Sequence, residues 1–429
     1  MRTAAVVGGG PAGLVAAEVL GRAGVSVTVY DRMPSPARKL LLAGHGGLNI
    51  THSEGPEPFL ARYGSASERL APALRAFGPQ DLRDWCAGLG EPTFVGSSGR
   101  VFPRSFRATP LVRAWLVRLA DLGVRIERRH RWTGWAEPPG TLRLARADGS
   151  QTEVTSDVTL FALGGASWPR LGSDGGWLGP FVERGVEVAP LRPANVGVQV
   201  GWTATFADRF AGTPLKHVAL TVRGGTPGAG PARTVPGGTP AAGPARTVRG
   251  DAMVTRSGLE GGPVYALGAA IRAALDADGR AVLDVDLRPD HTLRQLADRL
   301  RERRRPKDSG TTWLRRAIGL DPAAISLVRE AGRGPLPTDA DAAATLVKAV
   351  PVEVTGTMPL DRAISTAGGI AWAEVDGSFM LHRMPGTFVA GEMLDWEAPT
   401  GGYLLQASFS TGVAAAHGAL AWLDGRTTG

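Results

Sequence analysis

The chain has 429 residues, of which 43% are hydrophobic, and Cys86 is its only cysteine. This length exceeds one ordinary hydrophobic core, so we expect two or three globular domains. A single cysteine excludes internal disulfides, thiolate zinc sites and paired-cysteine redox centres, so any redox chemistry must belong to a cofactor. The net charge of +8 comes mostly from dispersed arginines, and the one dense basic run, 299–307, contains no aromatic residues. Nucleic acid is therefore not the favoured partner.

The sequence also bears on location and metal binding. No run of 18 apolar residues occurs, and strand-like sequence begins at Ala4, so we expect a cytoplasmic protein without a signal peptide or membrane attachment. His, Asp and Glu show no metal-ligand spacing, and the hydrolase motif GxSxG is absent. We expect no metal site.

The first 31 residues predict a strand, a glycine-rich turn, a helix and a second strand. The turn VVGGGPAG contains the GxGxxG glycines Gly8, Gly10 and Gly13. They allow a tight turn, the approach of a pyrophosphate and close packing of helix on strand, while the helix N-terminus attracts the phosphates. Asp31 ends the second strand, where a carboxylate accepts hydrogen bonds from the adenosine ribose. The pattern predicts dinucleotide binding without separating FAD from NAD.

A glycine-rich region near the C-terminus favours FAD. The segment GTFVAGEMLD (386–395) reads as a short strand followed by Gly391 and Glu392, and Gly401 and Gly402 open the last helix. We expect Glu392 to bind the ribityl chain. The helix N-terminus is expected to face the N1 and C2 carbonyl edge of the flavin, where its dipole stabilises negative charge.

The middle of the chain has a different pattern. Short β-like pieces predict an inserted β-rich domain at residues 191–290, and arginine-rich helices predict a helical subdomain at residues 291–350. Within the insertion, GGTPGAGPARTVP recurs as GGTPAAGPARTVR, which cannot bury a core and predicts a disordered repeat loop at residues 224–249. Residues 1–190 and 351–429 are then the two parts of one FAD-binding domain.

Five regions carry a family resemblance: RKLLLAGHGGLNITH, GRVFP, ALGGASWPRLGSDG, STAGGI, and AGEMLD with PTGGYLLQASFSTG. They resemble the BaiN/YhiN-like family of NAD(P)/FAD-dependent oxidoreductases, also described as aminoacetone oxidase-like flavoproteins, over nearly the whole chain. The resemblance implies an α/β fold class, with a discontinuous Rossmann-like FAD/NAD(P)-binding domain, an inserted β-barrel-like domain and a small helical subdomain. It also implies that residues 39–51 wrap the cofactor. Many members have a cysteine where Leu48 precedes Asn49, so cysteine chemistry is excluded at that position.

Motifs and resemblance together predict the site residues. The cofactor-binding residues are expected to be Gly8, Gly10, Pro11, Ala12, Gly13, Asp31, Arg32, Lys39, Leu40, Gly44, Asn49, Gly164, Gly391, Glu392, Gly401, Gly402 and Tyr403. His45 and Tyr403 are the candidates for a catalytic acid or base. Holding the cofactor or its loop in place is an equal alternative for both.

The expected function is that of an FAD-dependent oxidoreductase passing a hydride between bound flavin and a small organic substrate. No second GxGxxG occurs, so NAD(P)H would act as a transient electron donor without a domain of its own. Two alternatives stay open. One is a flavin monooxygenase of the aromatic-hydroxylase type, although Gly391-Glu392 replaces its usual Gly-Asp pair. The other is an FAD-binding RNA-modification or scaffold protein, which the basic charge favours.

Overall fold

The computed structural model describes residues 1–43, 46–223, 247–332 and 334–427. Two compact units form the chain: Met1–Pro193 with Ile364–Gly429, and Ala194–Ala363. The first unit is thus discontinuous, with the second inserted between its two parts.

Strands occur throughout both units. In chain order they are β1 (Thr3–Val7), β2 (Ser26–Asp31), β3 (Thr51–His52), β4 (Thr93–Val95), β5 (Arg100–Pro103), β6 (Arg125–Arg128), β7 (His130–Ala136), β8 (Thr141–Arg146), β9 (Gln151–Thr155), β10 (Val158–Phe161), β11 (Val188–Ala194), β12 (Val198–Gln199), β13 (Pro214–Val222), β14 (Thr247–Thr255), β15 (Gly258–Glu260), β16 (Ala281–Asp286), β17 (Val350–Val354), β18 (Gly356–Thr357), β19 (Ser365–Ile370) and β20 (Thr387–Val389).

Helices alternate with these strands. They are α1 (Pro11–Arg22), α2 (Arg38–Ala43), α3 (Pro56–Ala61), α4 (Ser67–Ala76), α5 (Pro79–Gly88), α6 (Ala108–Asp121), α7 (Leu178–Glu183), α8 (Ala204–Phe210), α9 (Gly262–Ala266), α10 (Gly268–Asp278), α11 (Leu293–Glu302), α12 (Gly310–Ile318), α13 (Pro322–Gly332), α14 (Ala340–Lys348) and α15 (Tyr403–Thr427). Among the residues described, none of the helices has the length and apolar character needed to cross a membrane.

A five-stranded parallel sheet in the order β20-β10-β1-β2-β6 forms the centre of the first unit. Its middle strands are almost entirely buried and apolar, as expected for parallel strands covered on both faces. Because parallel strands end at one edge, the segments after β1, β2, β10 and β20 meet there. The Rossmann-type α/β class predicted from the sequence is confirmed.

Two helices pack closely beside this sheet because glycines remove side chains at their contacts. A Cβ atom at Gly13 of α1 would lie 2.0 Å from the Gly8 carbonyl oxygen, and one at Gly412 of α15 would lie 2.4 Å from the Ala12 carbonyl oxygen. Real Cβ atoms do not approach backbone so closely. The C-terminal helix therefore supports the turn that follows β1.

Two smaller antiparallel sheets complete the first unit, one of order β3-β5-β4 and one of order β7-β8-β9, together with the pair β11-β19. The unpaired thiol of Cys86 lies fully buried in α5. Burial raises its pKa to about 12, so the thiol stays protonated and behaves as a small apolar group.

The second unit contains a seven-stranded sheet of order β17-β16-β13-β14-β15-β12-β18. Its core joins Leu283 and Val285 of β16 to Trp313 of α12 and Val347 of α14. Strands and helices thus share one hydrophobic core, so residues 291–350 are part of this unit and do not form a separate one.

The last three residues of the predicted repeat loop form part of a strand. Residues 247–249 begin β14, where Val248 lies opposite Leu220 and Arg249 opposite Ala219 of β13. The alternation of short polar and apolar residues there suits a strand paired on one side. The rest of the predicted loop, 224–246, lies outside the described residues.

Candidate cofactor site

A cleft opens in the first unit at the carboxyl edge of the parallel sheet. It encloses about 1550 Å³ of space between protein atoms, its open mouth included. Eleven of the predicted cofactor residues line it: Gly8, Gly10, Pro11, Ala12, Asp31, Arg32, Lys39, Leu40, Gly164, Gly391 and Glu392. The fold therefore brings the two ends of the chain to one site.

The turn between β1 and α1 uses its three glycines differently. Gly8 has φ +111°, and a Cβ atom there would lie 2.3 Å from the Ala162 carbonyl oxygen. A Cβ atom at Gly9 would lie 2.5 Å from Asp31 Oδ2, whereas one at Gly10 would meet nothing within 4 Å. The fold itself requires Gly8 and Gly9, while Gly10 leaves open space for a bound group. The motif treats Gly9 as variable, so sequence reasoning missed it.

The N-terminus of α1 faces this open space. Gly10 is its N-cap and carries no side chain to accept from the first-turn amides, and Pro11 occupies the first helical position. Free N–H groups and the positive end of the helix dipole suit an anionic group. A pyrophosphate fits this position.

Asp31 is oriented by backbone amides. Gly9 N donates to its Oδ2 at 2.8 Å, and Met33 N donates to its Oδ1 at 2.7 Å. Burial raises the pKa of Asp31 above its ordinary value, and these two hydrogen bonds act in the opposite direction. Each carboxylate oxygen keeps a second lone pair, so the group can also accept from a ribose hydroxyl.

Glu392, which also lines the cleft, is fixed by three hydrogen-bond donors. Its Oε1 accepts from Thr366 N at 2.9 Å, and its Oε2 accepts from Gly165 N at 3.2 Å and from Lys39 Nζ at 2.8 Å. Lys39 Nζ also donates to Ser167 Oγ at 2.8 Å. Thr366 and Ser167 were not among the predicted site residues, although both lie in the segments that carry the family resemblance.

Aromatic and charged side chains line the remaining part of the cleft. Arg32 forms an ion pair with Asp174 and donates to the Pro169 carbonyl oxygen at 3.1 Å. Trp177 Nε1 donates to the Gly164 carbonyl oxygen at 2.8 Å, which fixes the turn after β10. Neither Asp174 nor Trp177 was among the predicted site residues, since nothing in their local sequence indicates these contacts with Arg32 and Gly164.

Several predicted residues do not line the cleft. Gly13 lies behind it against Gly8, and Asn49 Nδ2 donates to the Thr51 and Val101 carbonyl oxygens at 2.8 and 3.0 Å. Gly401, Gly402 and Tyr403 are also absent from the cleft wall, and Gly402 packs on the Thr51 backbone. Gly44 and His45 lie outside the described residues. The cofactor roles assigned to these residues remain predictions.

Tyr403, one of the two catalytic candidates, is buried in a polar and aromatic cluster. Its hydroxyl donates to Glu54 Oε1 at 2.6 Å, and its ring stacks on His52 at 5.4 Å between centroids. Burial, together with the hydrogen bond to Glu54, raises the pKa of Tyr403 above its ordinary value. A phenol with a raised pKa releases its proton less readily, so the cluster favours a structural role for this side chain.

The contacts within the cleft fit a dinucleotide without reference to the glycine motif. The cleft offers open space at Gly10, uncapped amides on α1 and the carboxylates of Asp31 and Glu392. The buried Ser173 Oγ also lines it and has no hydrogen-bond partner within the described part of the chain, as expected where a ligand supplies the partner. No group of three or more His, Cys, Asp or Glu side chains able to hold a metal ion occurs among the residues described.

Fold and site define the class of protein, one whose Rossmann-type domain has a cleft fit for a dinucleotide at the carboxyl edge of its parallel sheet. The chain belongs to the family described as HI0933-like protein Rossmann domain, which it matches over residues 2–418. The family relationship expected from the sequence motifs is confirmed.

The chain is also similar to individual known proteins. The chain is 24% identical to a 3-dehydro-bile acid delta(4,6)-reductase of Clostridium scindens over 441 residues, which cover 98% of this chain and 99% of the relative. It is similar to a solved 3-ketosteroid delta1-dehydrogenase of Sterolibacterium denitrificans, with a TM-score of 0.50, 14% identity and coverage of 98% and 100% of the two chains. A flavocytochrome c3 fumarate reductase gives a TM-score of 0.49 at 14% identity, with coverage of 98% and 78%.

Proposed function

We propose that this protein is an FAD-dependent reductase that adds a hydride and a proton across a carbon–carbon double bond of a small organic substrate, with NAD(P)H as the electron donor. The observation that carries the proposal is the single cleft in which the β1–α1 turn, Asp31 and Glu392 face a common space. The named activity of the Clostridium scindens relative, a delta(4,6)-reductase, supports reduction of a double bond.

In this proposal the chain's own residues hold the cofactor at three points. The amides at the start of α1 bind the pyrophosphate in the space left by Gly10, and Asp31 binds the adenosine ribose. Glu392, which Lys39 and Thr366 orient, binds hydroxyls of the ribityl chain. FAD, when bound, supplies the hydride-transfer chemistry that no protein side chain possesses.

The number of dinucleotide motifs indicates how the proposed electron donor would bind. The sequence has one GxGxxG, at Gly8 to Gly13, and the FAD dinucleotide would occupy it. NAD(P)H would therefore bind transiently and leave as NAD(P)⁺, before the organic substrate binds. The reaction balances, since NAD(P)H loses the hydride that the substrate gains and solvent supplies the proton.

Anaerobic stopped-flow measurements test the proposal. FAD-loaded protein is mixed with NADH or NADPH while the flavin absorbance is followed, and enones, quinones or oxygen are added afterwards. We expect at least one nucleotide to bleach the flavin and an enone to restore the colour with formation of the saturated product. Protein that takes up no FAD would contradict the cofactor. A flavin that dithionite reduces but neither NADH nor NADPH reduces would contradict NAD(P)H as the electron donor. A flavin whose colour returns only with oxygen or a quinone would contradict a carbon–carbon double bond as the group reduced.

A further inference from the structure

A loop between β10 and α7 forms one part of the cleft wall. Residues 168–176, which we term the strap, close on themselves. Trp168 N donates to the Ser173 carbonyl oxygen at 3.1 Å, and Ser173 N donates back to the Trp168 carbonyl oxygen at 3.2 Å. The base of the strap is tied to the turn after β10, where Gly175 N donates to the Gly165 carbonyl oxygen at 3.1 Å. The strap residues that line the cleft are Leu171, Gly172, Ser173, Asp174 and Gly176.

The other side of the strap contacts the residues that follow β2. Arg32 forms an ion pair with Asp174 and donates to the Pro169 carbonyl oxygen at 3.1 Å. A Cβ atom at Gly172 would lie 3.0 Å from Met33 Cγ, so the strap and the chain after β2 touch directly. A single arginine therefore holds the strap at two points, one on each flank of its tip.

The strand order places the phosphate-binding turn between these two attachments. In the sheet, β1 lies between β10 and β2. Neighbouring strands are about 4.8 Å apart, so the strap spans about 10 Å past the carboxyl end of β1. The β1–α1 turn begins at that end, with open space at Gly10 and uncapped amides on α1. Because the strap and this turn line one cleft, a dinucleotide held at the turn has the strap beside it.

The attachment to Arg32 is the weaker of the two. The side chains of Arg32 and Asp174 are 27% and 36% exposed, and an ion pair this accessible to water contributes little to stability. In the described part of the chain, no backbone hydrogen bond joins the strap to the residues after β2, whereas such bonds close the strap and tie its base. Without Arg32 the strap would stay folded but lose its hold on the β2 side, so the ion pair has the properties of a latch.

We infer that Arg32 is a positioning residue that latches the strap across the end of β1 through Asp174 and so sets how fast FAD enters and leaves the cleft. The inference rests on the proposed function in taking FAD as the dinucleotide. A latch opposes passage in both directions. Breaking it should therefore raise the association and dissociation rates together, and the dissociation constant should change less than either rate.

Two rate measurements test the latch. Stopped-flow flavin fluorescence follows association when apoprotein is mixed with FAD, and a chase of bound radiolabelled FAD with excess unlabelled FAD follows dissociation. We expect Arg32→Gln and Asp174→Asn each to raise both rates about fivefold, as fits the loss of one half-exposed ion pair. Unchanged rates in both variants would overturn the inference.

Direct contact between Arg32 and the cofactor phosphates predicts a different pattern. Arg32→Gln would then slow association, because a positive charge that attracts the anion is lost. Asp174→Asn would slow dissociation, because it frees the Arg32 guanidinium to bind the phosphates. Either result would overturn the latch. Arg32→Gln is the decisive variant, since only a latch makes FAD associate faster when this positive charge is removed.

A matched control and a double variant show whether the effect belongs to this pair. Arg143 and Glu153 form an ion pair at 3.5 Å in the same unit, and neither lines the cleft. Arg143→Gln should leave both rates at their wild-type values, and faster exchange of FAD in it would count against a specific latch. Arg32→Gln combined with Asp174→Asn should match Arg32→Gln alone, because both changes remove one contact. Multiplied effects would overturn the latch.

Failure of this inference is distinguishable from failure of the proposed function. Bleaching of the flavin by NADH and NADPH is measured on the same FAD-loaded preparations. Faster exchange of FAD in both variants without bleaching in any preparation would support the latch and contradict only the electron donor. Normal bleaching with unchanged exchange rates would overturn the latch and leave the proposed function standing. Wild-type protein that binds no FAD would overturn both.

Discussion

Lys39 Nζ lies 2.8 Å from Glu392 Oε2, which joins two residues 353 positions apart in the wall of the cleft. Lys39 belongs to α2, and Glu392 follows β20. The same ammonium donates to Ser167 Oγ, so three distant segments meet at one charge. Because the lysine and glutamate side chains are 30% and 13% exposed, the pair is shielded enough from water for its loss to matter.

Removing the charge at Lys39 should weaken FAD binding. In Lys39→Met the Glu392 carboxylate loses its charged donor and keeps only the Thr366 and Gly165 amides, which hold it less firmly. We expect the FAD dissociation constant to rise about tenfold, equivalent to about 1.4 kcal/mol. Titration of the apoprotein with FAD, followed by flavin fluorescence, measures this constant. Unchanged affinity would show that the ion pair does not position Glu392 for the cofactor.

A matched control for this variant lies in the second unit. Arg249 and Asp290 form an exposed pair, also at 2.8 Å, and Arg249→Met should leave the FAD dissociation constant unchanged. Glu392→Gln tests the same relationship from the other side. Because both variants disturb one pair, the effect of Lys39→Met combined with Glu392→Gln should be smaller than the sum of the separate effects.

The sequence predicts which residues lie at the carboxyl edge of the sheet, but it does not predict the contacts between distant segments there. Gly8, Gly10 and Asp31 could be identified because a short motif fixes their spacing, and the strand ends then place them together. The partner of Glu392 could not be identified, since no periodicity links α2 to β20. Long-range pairing depends on how the chain closes the sheet, which local pattern does not encode.

The start of α15 shows the same limit. Two glycines before a helix predict a site for a charged or polar ligand, yet in the structure Gly402 is required by its contact with the Thr51 backbone. A Cβ atom there would lie 2.5 Å from Thr51 Cα. Close packing and ligand binding both select glycine, so the contact with Thr51 is a reason for Gly402 that the sequence does not reveal, and its cofactor role stays a prediction.

Substitution at Gly10 should separate folding from FAD binding. A Cβ atom at Gly10 would meet no protein atom within 4 Å, and the backbone there has φ −83°, so Gly10→Val is expected to fold normally. The added side chain would occupy the space in front of the α1 amides, and we expect FAD binding to weaken at least about a hundredfold.

Far-UV circular dichroism and FAD titration on the same sample test the Gly10→Val prediction. Gly55→Val is the control, because Gly55 is also an N-cap with negative φ and open space at its Cβ position. It should retain FAD. A folded Gly10→Val protein with normal FAD content would rule out the pyrophosphate position proposed for this turn.

The buried Glu18 of α1 should contribute to stability without affecting FAD affinity. Its Oε2 accepts from the indole N–H groups of Trp85 and Trp115 at 3.0 and 2.8 Å, and Arg22 and Arg118 donate to its Oε1. Glu18→Gln directs an amide N–H toward existing donors, so we expect the free energy of unfolding to fall by about 2 kcal/mol. Urea unfolding measures it.

Asp121→Asn provides the comparison for Glu18→Gln, since Asp121 is exposed at the end of α6. This substitution should change the free energy of unfolding by less than about 0.5 kcal/mol. Equal stability of Glu18→Gln and the wild type would show that the desolvation cost of the buried carboxylate offsets the energy of its hydrogen bonds and ion pairs.

Glu54 should make stability depend on pH in acid. The hydrogen bond from Arg62 holds the pKa of Glu54 below its ordinary value of 4.5, and the Tyr403 hydroxyl acts in the same direction. A carboxylate with a lowered pKa in the folded state stabilises the protein fully above its unfolded pKa, and this contribution is lost as pH falls through the lowered value. The free energy of unfolding of the wild type should therefore exceed that of Glu54→Gln at pH 7, and the difference should shrink as pH falls from 4.5 toward 3.

Urea unfolding at pH 7, 5, 4 and 3 measures this difference, with exposed Glu68→Gln as the comparison. A difference of the same size at every pH would show that Glu54 acts through packing and not through its charge.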